Sequence, residues 1–192
     1  MRLIRFRRPS SELLSRFAAE RAAKVLTYRQ VGATRSDLPP GYVHDRESAD
    51  LGPFDPATFD RAVTALTSWQ VQAGAGLTVF PRDPVQVGDT FALVIRLPAG
   101  IYALAAGRVV FVLNEPDRRG FGYGTLPGHP EQGEEAFEVV RRGDRMYFEI
   151  TAFSRPRHPL ARFARPVSRL LQRQTTRRYI AAMHAVVGQS PA

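Results

Sequence analysis

The sequence predicts an α+β protein built from a curved antiparallel sheet of about seven strands and a long C-terminal helix. Three observations support this fold class. Apolar residues recur at helical spacing over residues 56–72, a period of two then continues from Leu77 for roughly 75 residues, and helical spacing returns near the end of the chain. Because a curved sheet must bury one face, a long amphipathic helix across that face is its simplest cover.

The N-terminal part has a helix signal of its own, and turn residues separate the strands. Ser10 or Ser11 can cap an extra helix that runs to about Lys24. Strands are expected between turns rich in Pro, Gly or Asp. They are Tyr42–Glu47, Leu77–Phe80, Thr90–Leu97, Ile101–Leu113, Gly120–Leu126, Glu134–Arg141 and Arg145–Phe153.

Two further helices have clear start signals. Asp55 followed by Pro56 is a typical helix start, and this helix is expected to reach about Gln72. The terminal helix follows Pro159 and can extend for about 28 residues, with a kink or restart at Pro166. We therefore expect a basic helical extension at 1–24, one domain at 25–188 and a disordered tail at 189–192. The apolar stripe of the last helix is expected at Leu160, Phe163, Val167, Leu171, Thr175, Tyr179, Ala182 and Val186.

Composition limits the class of protein. The 192 residues fit one domain, and a hydrophobic content of 44% is enough for a packed core. Cysteine is absent, which excludes disulfides, thiol catalysis and thiolate metal sites. No run approaches the roughly 18 apolar residues that span a bilayer, and the N-terminus lacks the apolar core of a secretory signal. We therefore expect a soluble, cytoplasmic protein.

The net charge of +9 comes almost entirely from arginine, since Lys24 is the only lysine. These arginines concentrate at the two ends of the chain. They are Arg2, Arg5, Arg7 and Arg8, then Arg155, Arg157, Arg162, Arg165, Arg169, Arg173, Arg177 and Arg178. The simplest interpretation is a solvated basic rim around a neutral body, with the arginines of the terminal helix off its apolar stripe. Peripheral contact with an anionic membrane through these ends stays open, whereas a nucleic-acid partner is not expected.

The most unusual stretch is Arg108–Phe137. Within it Phe121, Tyr123 and Thr125 alternate with glycines, so this strand carries two aromatic rings and a hydroxyl on one face and nearly bare backbone on the other. Another group can approach that bare face closely.

Four titratable residues, His129, Glu131, Glu134 and Glu135, follow at one end of the strands. They suit proton transfer, cation binding or contact with the polar end of a ligand, because neighbouring carboxyls raise one another's pKa. The alternative is a solvated hairpin tip. A metal site is not expected without a helical HExxH pattern or cysteine ligands. No cofactor is expected either, because there is no phosphate loop and a strand, not a helix, follows the glycines.

Several motifs carry a family resemblance. They are Tyr28–Thr34 (YRQVGAT), Leu38–Tyr42 (LPPGY), Phe59–Trp69, Arg108–Val109, Gly120–Phe137 and Phe153–Pro156. With them the chain resembles an uncharacterised bacterial and plant family, domain of unknown function nineteen-ninety, over most of residues 25–185. The element order is similar to the helix-grip fold of the START and birch-pollen-allergen-like superfamily, whose members enclose an apolar cavity between sheet and terminal helix. The resemblance implies a fold and the place of a site, and no activity.

Two functions are consistent with these residues. The first is binding of a small, largely apolar molecule between the sheet and the C-terminal helix. The residues expected at that site are Trp69, Arg108, Tyr123, Thr125, Glu135 and Tyr147. The second is an enzyme of hydrolase, cyclase or isomerase type, with Glu135 or Glu134 as base, His129 as proton donor and Arg108 as charge stabiliser. A filled core without a cavity is the structural alternative, and the sequence does not set the oligomeric state.

Overall fold

A computed structural model describes residues 3–156 and 165–188, and in this part of the chain all strands join one antiparallel sheet. The strands are β1 (Ile4–Arg5), β2 (Val43–Pro53), β3 (Leu77–Phe80), β4 (Thr90–Arg96), β5 (Tyr102–Glu115), β6 (Arg118–Thr125), β7 (Glu131–Arg142) and β8 (Arg145–Pro156). The helices are α1 (Ser11–Ala22), α2 (Pro56–Thr67), α3 (Gln70–Gly74) and α4 (Arg165–Val187). Seven strands follow the order β2-β8-β7-β6-β5-β4-β3, and β1 pairs with the start of β5.

The fold class is confirmed: a curved antiparallel sheet is covered by a long C-terminal helix, and an extra helix precedes it. Seven strands lie where the sequence signals place them, and their ends differ by at most three residues except in β2, which continues to Pro53 instead of ending at Glu47. The short strand β1 was not expected. The caps agree as well, since Ser10 accepts a hydrogen bond from the Leu13 amide (3.3 Å) and Asp55 accepts one from the Thr58 amide (2.8 Å). Helices α2, α3 and α4 cover what we call the inner face of the sheet, and α1 lies on the outer face.

The single helix expected from Asp55 to Gln72 is wrong, because the chain turns at Trp69. Its backbone is left-handed, with φ of 62°, and it separates α2 from α3. The turn brings the indole into the core, where Nε1 donates to the carbonyl oxygen of Asp83 (3.1 Å). Periodicity could not reveal the break, since the Trp69 side chain still continues the apolar stripe.

Aromatic rings fill much of the inner face. Trp69 lies 4.8 Å from Phe91 and 4.9 Å from Phe121, measured between ring centroids. Phe137 on β7 meets Tyr179 on α4 at 5.1 Å in an edge-on contact. Such pairs add to the stabilisation from buried area, so they hold α4 against the sheet.

The buried side of α4 differs from the expected stripe. Its most buried residues are Tyr179, Met183 and Val187, while Leu171 is 42% exposed. Among the described residues this helix spans Arg165–Val187, with Pro166 in its first turn, where a proline is tolerated. The stripe was wrong at Leu171 because the first half of α4 meets polar groups of the sheet. The expected positions Leu160 and Phe163, the side chain of Val167 and the tail 189–192 lie outside the described residues. Among the described residues, no helix is long and apolar enough to cross a membrane.

The outer face is covered by α1 at one end. Leu14 and Phe17 pack there against Ala92, Val94 and Leu104 of the sheet. The N-terminal helix thus shares a hydrophobic cluster with β4 and β5. The expected division at residues 24 and 25 stays a prediction.

The bare backbone of β6 is occupied by rings of the same chain. A Cβ atom on Gly122 would lie 2.3 Å from the Phe111 ring, and one on Gly124 would lie 2.3 Å from the Tyr28 hydroxyl oxygen. Both glycines are needed for close approach, because any side chain there would displace a packed ring. The group expected to approach this face is therefore part of the protein.

Replacing Gly122 with Ala should lower the free energy of unfolding by about 1–3 kcal/mol, because the new methyl group overlaps the Phe111 ring. Urea denaturation measures the loss. The double variant Gly122→Ala/Phe111→Leu should lose less free energy of unfolding than the two single variants lose together, because leucine at position 111 makes room for the new methyl group. Strict additivity of the two changes would contradict this packing.

Candidate functional site

The acidic residues of β7 lie on opposite faces of the sheet. Side chains alternate along a strand, so Glu131 and Glu135 are on the inner face with Phe137, whereas Glu134 and Glu138 are on the outer face. The sequence had suggested one crowded cluster at the end of the strands. The structure instead separates Glu134 from Glu135, although they are neighbours in the chain.

Glu135 lies on a central strand beneath α4 and is nevertheless only partly buried. Its Oε2 accepts a hydrogen bond of 2.6 Å from the Tyr123 hydroxyl. Burial raises the pKa of Glu135 to about 7; the Tyr123 hydrogen bond opposes this rise, and the negative charges of Glu131 and Asp45 add to it. Near neutral pH this carboxyl therefore exists in both protonation states.

Glu131 links the same face to the terminal helix. The Gln172 side-chain amide donates to Glu131 Oε2 (2.6 Å), and burial raises the pKa of Glu131. Arg169, one turn earlier in α4, donates to both carboxylate oxygens of Asp45 at 2.7 and 2.9 Å. Arg169 also donates to the Gln172 side-chain oxygen (3.3 Å). These contacts join α4 to β7 and to the edge strand β2.

We call Asp45, Tyr123, Glu131, Glu135, Arg169 and Gln172 the polar cluster. It borders the aromatic core directly: the Tyr123 and Phe137 rings are stacked at 6.3 Å, and Phe137 contacts Tyr179. Burial raises the pKa of Tyr179 well above its ordinary value, and the charge of Glu135 raises it further. The inner face thus changes from apolar to polar at Glu135. Within the described ranges, no three His, Asp or Glu side chains are arranged to hold a metal ion.

Glu134 has a structural environment on the outer face. It is 2% exposed and accepts hydrogen bonds from the hydroxyls of Tyr28 (2.6 Å) and Thr34 (2.6 Å) and from the amides of Gly32 (2.7 Å) and Thr34 (3.0 Å). These donors come from one segment, residues 28–34, which the carboxylate holds against the sheet. The pKa of Tyr28 is raised, chiefly by burial and then by its bond to Glu134. A role for Glu134 as base would require breaking this set of bonds.

His129 lies in the turn between β6 and β7. The Glu131 amide approaches its Nδ1 at 3.2 Å as a donor. Burial lowers the pKa of His129 to about 4. The ring is therefore neutral at pH 7 and lacks the second ring proton that the expected role of proton donor would use.

Two of the expected ligand-binding residues lie on the outer face. Arg108 Nη2 donates to the carbonyl oxygens of Ala22 (2.6 Å) and Arg21 (3.3 Å) at the end of α1, so it caps that helix. The Tyr147 ring is 5.0 Å from the Arg142 guanidinium. Neither residue joins Tyr123 and Glu135, because the two-residue period of β5 and β8 turns both away from the inner face.

Two other residues expected at the ligand site, Trp69 and Thr125, make contacts within the protein itself. Trp69 is on the inner face but within the packed core. Thr125 Oγ1 accepts from the Gly133 amide (3.0 Å) and lies 2.5 Å from Thr27 Oγ1 at the end of β6. Its hydroxyl is therefore engaged with the protein itself.

The sequence interpretation missed Asp45, Arg169 and Gln172. Arg169 had been assigned to a solvated helix face, and the structure corrects this because the residue pairs with Asp45. One signal was available: residues 169, 172, 176 and 179 are spaced by three or four, so they share one helix face with the buried Tyr179. The partner strand could not be inferred from this spacing.

Comparison with known proteins gave consistent results. Residues 27–182 match the family described as domain of unknown function (DUF1990). The chain is 32% identical over 189 residues to a "UPF0548 protein" of Deinococcus radiodurans, covering 90% of this chain and 93% of the relative. It is 27% identical over 191 residues to a "UPF0548 protein" of Dictyostelium discoideum, covering 87% of this chain and 88% of the relative. Such relatives therefore occur in eukaryotes as well as in bacteria.

A solved structure shares the fold. It is a START superfamily protein from Mycobacterium smegmatis, with a TM-score of 0.53, 10% sequence identity, and coverage of 77% of this chain and 98% of that one. At this identity the likeness concerns the fold alone.

Replacing Glu135 with Gln should change the pH dependence of stability. The folded-state pKa of about 7 exceeds the ordinary value of 4.5, so the folded protein holds this proton more tightly and loses stability as pH rises from about 4.5 to about 7. Glu135→Gln lacks this loss. The free energy of unfolding of Glu135→Gln minus that of the wild type should therefore be higher at pH 8 than at pH 4.5. The expected increase is on the order of 1–2 kcal/mol, allowing for the partial exposure of Glu135.

Urea denaturation of both proteins across this pH range measures the difference. Thr151→Ser on the outer face of β8 removes no titratable group and is the control; its stability difference from the wild type should be the same at both pH values. An equal stability difference between Glu135→Gln and wild type at pH 4.5 and pH 8 would show that Glu135 titrates normally.

Proposed function

Because the chain belongs to the DUF1990 family and has a START-like fold, we propose that it binds a small molecule between the inner face and α4, with the ligand's polar end at Glu135. One observation carries the proposal. A carboxyl group on a central strand, beneath a helix and beside packed aromatic rings, keeps part of its surface exposed and has a pKa of about 7. Such a group is costly to place in a core, and function is the usual reason for it.

The apolar part of the ligand would contact the aromatic border of the core. Tyr123, Phe137 and Tyr179 present ring surface next to the polar cluster. Ligand sites commonly combine such surface with a few polar groups that set orientation. A largely apolar molecule with one polar end matches this division.

The polar end of the ligand would meet a carboxyl group that can donate or accept. Tyr123 fixes one oxygen of Glu135 through its 2.6 Å hydrogen bond. Because the Glu135 pKa is near 7, the carboxyl can match a ligand donor when ionised and a ligand acceptor when protonated. Glu131 and Gln172, which are hydrogen-bonded to each other (2.6 Å), would border the polar end of the ligand.

A second candidate is proton transfer catalysed by Glu135. The observation that favours it is the same pKa of about 7, which is close to the optimum for a general acid or base at neutral pH. Tyr123 would hold the carboxyl in place. This narrows the hydrolase, cyclase or isomerase alternative to Glu135, since His129 is neutral and Glu134 is engaged on the outer face.

The binding proposal can be tested with a pair of obstructing variants on β8. Ala152 pairs with Glu135 across the strands, whereas its neighbour Thr151 pairs with Ala136 on the outer face. Phenylalanine at Ala152 should fill the space beside Glu135, and phenylalanine at Thr151 should leave it open. The wild type and Thr151→Phe should carry a small molecule from their native cells, and Ala152→Phe should lose it.

Native mass spectrometry followed by denaturing extraction measures this retention and identifies the molecule. Glu135→Gln should weaken retention by about tenfold, the size of one lost hydrogen bond to an ionised group. Equal retention by Ala152→Phe and Thr151→Phe would contradict the site. An empty wild-type protein would contradict a resident ligand.

The catalytic candidate predicts a different size of effect for the same variant. Incubation of the wild type with the extracted molecule should yield a changed product, and Glu135→Gln should slow that conversion by at least about a hundredfold. Recovery of the unchanged molecule would contradict catalysis on that molecule and would be consistent with binding alone. Chromatography with mass detection distinguishes the two results.

A further inference from the structure

The N-terminal edge of the sheet exposes large apolar side chains. Phe6 is 80% exposed and Ile4 is 50% exposed. β1 pairs Ile4 with Ala103 and Arg5 with Tyr102, so this segment runs beside the start of β5. Single exposed apolar residues are common on protein surfaces, but here two lie within three residues of each other.

The loop that enters β5 extends this apolar surface. Residues 97–101 read LPAGI and contain no polar side chain. Pro98 and Ala99 are exposed at its tip, where Ala99 has a left-handed backbone with φ of 58°. Because Arg5 is opposite Tyr102, Phe6 follows along the strand next to this loop. The exposed apolar side chains therefore belong to one region of the surface.

Arginines surround this region. Arg7, Arg8 and Arg96 are exposed, and Arg5 is partly exposed. Residues 3–11 and 96–103 contain no acidic side chain. No ion pair with a described residue neutralises these four arginines. We call this surface the N-terminal patch; it consists of Ile4, Arg5, Phe6, Arg7, Arg8, Arg96 and the loop 97–101.

We propose that the N-terminal patch docks on the surface of an anionic lipid bilayer. Apolar side chains with a basic border suit the interface of such a bilayer, where the rings and aliphatic groups enter below the headgroups and the guanidinium groups meet phosphates. A nucleic acid would satisfy the arginines but would leave Ile4 and the loop 97–101 in water. The bilayer accounts for both halves of the patch. This proposal does not depend on ligand binding at Glu135.

Co-sedimentation with lipid vesicles tests the proposal. The wild type should bind vesicles of phosphatidylcholine and phosphatidylglycerol at low salt, and should bind pure phosphatidylcholine vesicles much less. Phe6→Ser should weaken binding about tenfold through lost insertion. The pair Arg7→Gln/Arg8→Gln should weaken it roughly 25-fold, about fivefold for each arginine.

Two control variants make the same kinds of substitution outside the N-terminal patch. Val87→Ser alters a side chain that is 65% exposed between β3 and β4, and Arg173→Gln/Arg177→Gln removes two exposed arginines of α4. Both should bind within about twofold of the wild type. All altered residues are exposed, so urea midpoints should stay unchanged and exclude misfolding as the cause.

Three results would overturn the proposal. The first is no binding of the wild type to anionic vesicles at low salt. The second is binding that Phe6→Ser leaves intact and that a short duplex DNA abolishes by competition, which would indicate a general polyanion site. The third is loss of binding in Arg173→Gln/Arg177→Gln alone, which would assign the contact to α4.

Discussion

The two-residue period of β7 is the constraint on which the rest of the molecule depends. It places Glu134 on the outer face and Glu135 on the inner face, although the two residues are adjacent. The outer carboxylate holds residues 28–34 against the sheet with four hydrogen bonds. The inner carboxyl group accepts a hydrogen bond from Tyr123 and lies at the border of the aromatic core. A register shift of one residue would move each carboxyl group to the opposite face of the sheet, away from its hydrogen-bond partners.

The terminal helix is held by two kinds of contact along its length. Tyr179, Met183 and Val187 bury apolar surface in its second half. In its first half, Arg169 and Gln172 bind carboxylates of β2 and β7. Apolar contact is insensitive to pH, whereas the polar half depends on the ionisation of groups such as Glu131, whose pKa burial raises. The proposed ligand site therefore lies beside the first half of α4, where the contacts between helix and sheet are polar and depend on pH.

A partly exposed carboxyl with a pKa near 7 makes the folded protein less stable than a neutral side chain would at that position. Natural proteins accept such costs mainly where a site requires them. The contrast with Glu134 supports this view, since that carboxylate has its bonds completed by the protein. Two adjacent acids in one strand thus have a structural and a proposed functional role. The N-terminal patch adds a second surface whose composition the stability of the fold does not require.

Local signals in the sequence were sufficient for the α+β class, most strand positions and the caps at Ser10 and Asp55. These features depend on spacing within an element or between adjacent strands. The sequence could not show that Trp69 breaks a helix, that Arg108 caps α1, or that Arg169 meets Asp45, which is 124 residues away. Each of these depends on which distant elements meet and through which face, and packing of the whole chain decides that, because backbone periodicity specifies two faces without stating what covers either one.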